Sequence, residues 1–125
     1  MDAFGHVNNI IYFRYFENAR LAYFERIRYR REMEETGVGP ILALTSCRFR
    51  YPLEYPDTVY VGARVATMEA ERFVMEYRVV SLQAGVVAAE GEGLVVSYDY
   101  RGKKKTPLPE LMRARIAALE GGIPS

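Results

Sequence analysis

Residues 2–9, Asp2-Ala3-Phe4-Gly5-His6-Val7-Asn8-Asn9, set an acid, a glycine, a histidine and two asparagines directly ahead of the longest helical pattern in the chain. A helix N-terminus carries backbone N–H donors without intrahelical partners, and partial positive charge with them. A carboxylate held there can do chemistry on a carbonyl whose oxygen those donors grip. Gly5 suits a loop whose backbone must pass close to a substrate. Each residue also has a plainer reading. Asp2 can be a terminal acid and nothing more, and Asn8 or Asn9 can simply cap the helix. His6 is the only histidine, so a Ser-His-Asp triad would have to use it, yet no Gly-x-Ser-x-Gly elbow is present. A hydrogen-bonding role is the better reading of His6. One histidine and one cysteine far apart in the chain make no metal site.

The elements that must position this stretch follow it. Tyr12, Phe16, Ala19, Tyr23 and Ile27 recur at steps of three and four, giving one apolar face to a helix over residues 8 to about 28. Arg14, Asn18, Glu25 and Arg28 fall on the other side. Ile10, Ile11, Phe13, Tyr15, Leu21, Ala22 and Phe24 widen the apolar arc, so the helix is expected to be covered on more than one side, by a sheet or by a second subunit. Residues 29–36 extend it or form a second short helix, stopped at Gly37. The period then changes to two. Strands are expected from Ile41 to Tyr51, Val59 to Met68, Phe73 to Leu82 and Val86 to Tyr100, with Ala84-Gly85 as a hairpin turn. Gly91 and Gly93 suggest a bend or bulge in the last of these. Pro107 and Pro109 introduce a final helix, Glu110 to Leu119, stopped by Gly121-Gly122. A long helix that buries its face on consecutive antiparallel strands is an α+β arrangement, the sheet curling around the helix.

Composition bounds the partners. A chain of 125 residues suits one domain over residues 1–125, and 50% hydrophobic with 26% charged residues is enough to build a core. A net charge of +1 gives no field to draw nucleic acid or an anionic membrane. The single cysteine, Cys47, allows no internal disulfide and reads as a small buried residue. No apolar run nears the roughly 20 residues of a membrane span. A cytoplasmic location is the expectation.

The stretch from Asp2 to Asn9, continued by Tyr12 and by Arg14-Tyr15-Phe16-Glu17-Asn18-Ala19-Arg20, resembles the 4-hydroxybenzoyl-CoA thioesterase family of acyl-CoA thioesterases. Phe49-Arg50-Tyr51-Pro52-Leu53-Glu54-Tyr55-Pro56-Asp57 and the tail Lys105-Thr106-Pro107-Leu108-Pro109 match its later segments. The resemblance implies the hot-dog fold. It implies hydrolysis of acyl-CoA to free acid and CoA with no metal or redox cofactor, and a dimer with joined sheets that pairs into a homotetramer. Members usually carry a first strand ahead of the motif acid, so a shortened or missing N-terminal strand is expected. By the same resemblance Asp2 is the nucleophile or general base, the Asn9 backbone N–H is the oxyanion donor, and His6 belongs to the catalytic motif.

Around that centre, Glu17 is the runner-up acid; the plainer reading makes it a solvated residue or a partner of Arg20. Tyr12 and Tyr15 line an acyl pocket or pack in the core. Arg48, Arg50, Lys103, Lys104 and Lys105 are candidates to hold the phosphates of CoA. Two rival functions stay open: a hot-dog hydratase on acyl-CoA or acyl carrier protein, and a non-catalytic acyl-CoA-binding module.

Overall fold

The computed structural model describes residues 9–54 and 56–124. The chain runs through helices α1 (Ile10–Arg26) and α2 (Tyr29–Thr36), strands β1 (Val38–Phe49), β2 (Val59–Met68), β3 (Arg72–Ser81), β4 (Val86–Asp99) and β5 (Lys104–Lys105), and helix α3 (Glu110–Glu120). The strands form one antiparallel sheet in the order β1-β4-β3-β2, with the two-residue β5 on the end of β4. This is the expected α+β architecture of a long helix laid on an antiparallel sheet. The sequence pattern did not separate β5 from its turn.

The apolar period of α1 does what its spacing implies. Tyr12, Phe16 and Tyr23 are buried, and Ile27 follows them as the C-cap. They meet the face of the sheet carrying Phe73, Met75, Tyr77, Val79 and Val95. Phe16 stacks on Tyr77 with ring centres 4.9 Å apart, and Phe24 meets Phe73 edge-on at 6.3 Å. Burying a side chain of this size contributes about 1.5–3 kcal/mol, so this stripe is the main tie between helix and sheet. α1 stops short of the expected position because Arg28 takes a left-handed conformation, φ 58°, which breaks the helix before α2 starts. Gly37, at φ 80°, ends α2.

α3 closes the same side. Met112 and Ile116 are fully buried, and the Arg115 guanidinium donates to the Ile27 carbonyl at 3.1 Å. Glu120 ties three elements together, its Oε2 accepting from the Tyr23 hydroxyl at 2.6 Å and from the Val65 backbone N–H at 3.0 Å. Burial and the neighbouring Glu120 carboxylate push the Tyr23 pKa well above the ordinary tyrosine value, so the hydroxyl stays a donor.

Gly91 and Gly93 correct the expectation of a bulge. The register shifts lie elsewhere, between Leu42 and Leu44, between Val65 and Thr67, and between Val79 and Val80. The two glycines mark close approach instead. A Cβ at Gly91 would strike the Phe16 ring and come within 2.6 Å of the Ser46 carbonyl oxygen, and one at Gly93 would strike the Tyr77 hydroxyl. They let α1 and β3 side chains settle onto β4.

The wider arc of α1 is not covered within one chain. Ile10 is 68%, Phe13 40% and Leu21 54% exposed. The helix packs over β2 and β3 and leaves its far side open. No helix among the described residues is long and apolar enough to cross a membrane.

Candidate active site

Asp2, Gly5 and His6 lie outside the described residues, so the site is built from the α1 N-terminus outward. Asn9 is the N-cap residue, with φ −56° and ψ −30°, and its carbonyl accepts the Tyr12 N–H at 3.2 Å. Its side chain makes no capping bond. Of the two readings of Asn9, capping by the side chain is therefore not what it does. The first turn of α1 holds no acidic residue to neutralise the positive end of the helix. A negative charge arriving at this end meets a helix pole that no acid of the first turn offsets.

Beside that turn stands an aromatic wall. Tyr12 is buried and meets Phe49 edge-on at 5.1 Å and Tyr15 at 6.3 Å. Burial raises the Tyr12 pKa, with the Leu53 backbone amide acting in the opposite sense. The hydroxyl therefore remains neutral at physiological pH. Leu53 is buried, and Cys47 is half-buried rather than fully so, its thiol pushed up by desolvation. Phe49, Leu53 and Cys47 were not singled out as site residues. The signal for the first two was their place at the end of β1 and just after it, which the fold returns to the start of α1. Tyr15 is half-buried at the edge of this cluster.

Glu17 sits elsewhere. It is exposed, on the outer stripe of α1 with Ile10, Phe13 and Leu21. It lies eight residues past Asn9, about 12 Å at 1.5 Å per residue. Arg20, considered as its partner, turns inward: its guanidinium donates to the Tyr77 hydroxyl at 3.1 Å and lies 6.0 Å from that ring.

The basic residues do not form one patch. Arg48 and Arg50 are at the end of β1 near the site, and Arg50 pairs with Glu90 at 3.3 Å. Lys104 and Lys105 pair with Asp99 and Tyr98 at the other end of β4. Asp99 is eight residues from Gly91, the partner of Cys47, or about 26 Å along the strand. Within one chain the two groups cannot hold the same phosphates. Lys103 adopts φ 56° in the β4–β5 turn. That turn is organised by Asp99, whose carboxylate accepts the backbone N–H groups of Gly102 and Arg101. Those bonds, Gly102 first, with nearby Lys104 and Arg101, hold the Asp99 pKa below its usual value.

A profile of the Thioesterase-like superfamily matches residues 1–116. Among solved structures, the chain is 36% identical to a thioesterase complexed with coenzyme A and Zn from Thermus thermophilus; the match covers 97% of this chain and 86% of that one, with a TM-score of 0.83. A thioesterase superfamily protein from a Jannaschia species is 25% identical, covering 100% of this chain and 79% of that one, with a TM-score of 0.83. A 1,4-dihydroxy-2-naphthoyl-CoA thioesterase from Synechocystis, at 19% identity, covers 96% and 89% with a TM-score of 0.81, and shares the fold.

Proposed function

The chain belongs to the Thioesterase-like superfamily and is a thioester hydrolase, and we propose that it hydrolyses acyl-CoA thioesters at the N-terminus of α1. The reaction is acyl-CoA plus water to free acid plus CoA. The Asp2 carboxylate either takes a proton from the attacking water or itself adds to the carbonyl carbon to give an anhydride that water then opens. Both routes pass through a tetrahedral oxyanion. The Asn9 backbone N–H is the donor that holds it, helped by the positive pole of the helix. Collapse expels the CoA sulfur, which leaves as thiolate and is protonated. His6 orders the motif loop by hydrogen bonding, and Gly5 lets its backbone approach the thioester. Tyr12, Tyr15, Phe49 and Leu53 form the acyl wall, and Arg48 and Arg50 attract the CoA phosphates. Lys103, Lys104 and Lys105 would serve only from another subunit, given their distance along β4.

The observation that carries this reading is the junction itself: an acid-containing motif ends where a helix with no first-turn acid begins, beside an aromatic wall. The 36% identity to a CoA-complexed thioesterase supports acyl-CoA as the substrate class. Dimerisation is part of the proposal. The outer edge of β1 pairs with no strand of the described residues, and Leu42 and Phe49 on it are exposed, as are Ile10, Phe13 and Leu21 on α1. A second copy joined along β1 would cover both. The one free thiol suits a cytoplasmic setting.

The test is free-thiol release from a panel of acyl-CoAs, with the wild-type chain, Asp2→Asn and Glu17→Gln side by side. Loss of about 10²–10⁴-fold in kcat for Asp2→Asn, with Glu17→Gln unchanged, is the expected result. Survival of turnover in Asp2→Asn and loss in Glu17→Gln would transfer the acid to Glu17. Water addition to an enoyl-CoA that depends on His6, or ligand binding without any thiol release, would replace this reading with the hydratase or the binding module.

A further inference from the structure

The aromatic wall at the head of α1 has an inner end. Tyr12 and Phe16 stand one turn apart on the same face of the helix. Tyr12 meets Phe49 and lies beside Cys47 of β1. Cys47 is in register with Gly91 of β4, and the Phe16 ring rests on Gly91 so closely that a Cβ there would strike it. Two further sides of the ring are held: it stacks on Tyr77 with 16° between planes, and Phe13 meets it edge-on at 6.1 Å. Phe16 is fully buried, and Tyr77 nearly so. A hydrocarbon chain cannot pass between α1 and β4 here without displacing that ring. The wall ahead of it is accessible by contrast, since Phe49 is exposed and Tyr15 and Cys47 are half-buried.

We propose that Phe16 is the stop of the acyl site, so that the substrate is a short-chain acyl-CoA whose acyl group ends against the Phe16 ring. This rests on the acyl-CoA reading above and adds the residue that sets chain length. The depth follows from helix geometry. Asn9, the proposed oxyanion donor, and Phe16 are seven residues apart, about 10 Å along the axis at 1.5 Å per residue. Contact with the ring takes up about 4 Å of that, leaving about 6 Å. A chain of C–C bonds about 1.5 Å long advances about 1.25 Å per carbon, so about five carbons fit. Side chains on a helix lean toward its N-terminus, which makes five the upper figure. Each methylene that enters the wall leaves water and raises kcat/KM about four-fold. A methylene beyond the stop stays in water and adds nothing. The chain-length profile should therefore climb and then break, and the place of the break belongs to Phe16.

The experiment is free-thiol release from straight-chain acyl-CoAs, acetyl to decanoyl, with kcat and KM separated, for wild type, Phe16→Leu, Phe16→Ala and Cys47→Leu. Circular dichroism and thermal melting accompany each variant. Wild type should gain about four-fold in kcat/KM per methylene up to about five carbons and nothing beyond. Phe16→Leu and Phe16→Ala should move the break to longer chains, the alanine variant further. Two more buried methylenes give about a 16-fold rise for the longer substrates, carried by KM, while butyryl-CoA turnover stays near wild type. Phe16→Ala opens a cavity in the core; Phe16→Leu keeps most of the apolar volume. Cys47→Leu leaves the Phe16 ring in place and fills the wall from β1, so it should move the break to shorter chains even where the Phe16 variants fail to fold. A wild-type kcat/KM that climbs evenly to decanoyl-CoA, or a break that stays put in every folded variant, would overturn the proposal and leave the hydrolase reading standing. Thiol release from none of the substrates would overturn that reading and this one with it.

Discussion

Replacing Gly91 by alanine tests the close approach that seats α1 on the sheet, and Gly62 in the same sheet is its matched control. At Gly91 the added methyl meets the Phe16 ring and the Ser46 carbonyl oxygen, the latter at 2.6 Å. The ring cannot turn aside freely, since it is stacked on Tyr77 with 16° between planes in a fully buried position. The carbonyl belongs to the backbone of β1 and can yield only by parting β1 from β4. Overpacking of this kind costs about 1–3 kcal/mol, and with a backbone neighbour the upper half of that range applies. A methyl at Gly62 meets nothing nearer than a Tyr60 ring atom at 3.8 Å, so reduced freedom of the unfolded chain is the main effect, stabilising by about 0.4–1 kcal/mol. With about 2.1 cal/mol/K per residue over 125 residues, each kcal/mol moves Tm by about 4 °C. Thermal unfolding followed by circular dichroism should therefore show Gly91→Ala melting about 8–12 °C below wild type and Gly62→Ala about 2–4 °C above it. Equal Tm values for the two variants, or a Gly91→Ala that melts with wild type, would refute the claim that α1 is seated by that contact.

Other outcomes follow from the same geometry. Asn9→Pro keeps φ near −56° and removes the backbone N–H, and Asn9→Ala controls for the lost side chain, so kcat for thiol release should fall about 10²–10³-fold in the proline variant alone; full activity would remove Asn9 from the oxyanion site. Asn9→Ala should cost less than the ~1 kcal/mol of a working N-cap, because the side chain makes no cap bond. Tyr23→Phe leaves Glu120 with the Val65 N–H as its remaining described donor and should destabilise by about 1–3 kcal/mol in urea unfolding. Tyr29→Phe should be nearly neutral, since the buried Tyr29 hydroxyl has no hydrogen-bond partner among the described residues. Burial raises the pKa of both Tyr23 and Tyr29 in the native state. Their stabilising contribution is thus complete below the unfolded tyrosine pKa and is lost as pH rises beyond about 10, by up to about 1.4 kcal/mol per pH unit for each. A stability curve flat from neutral to strongly alkaline pH, or one whose alkaline slope is undiminished by both Phe substitutions, would contradict this, Tyr12 and Cys47 supplying the part that remains.

The sequence alone determined the elements and proposed a place for the chemistry. A stripe at three- and four-residue steps can bury one face only as a helix, and alternation at two only as a strand, because those periods are local properties of backbone geometry. Hence α1, β2 and α3 fall close to where their patterns put them. Tertiary structure decided what depends on pairing between distant segments. The role of Gly91 and Gly93 became visible only when Phe16 and Tyr77 were laid across β4. The separation of Lys103–Lys105 from Arg48 and Arg50 follows from strand register, which spacing along the chain does not encode. Arg20 leaves Glu17 for Tyr77 because packing on β3 brings that hydroxyl within reach. The cross-strand row of Glu92, Glu76 and Arg64 comes from strands brought into the order β1-β4-β3-β2. A side chain's neighbours along its own element are set by local period; its neighbours across elements are set by which surfaces the whole fold must bury together.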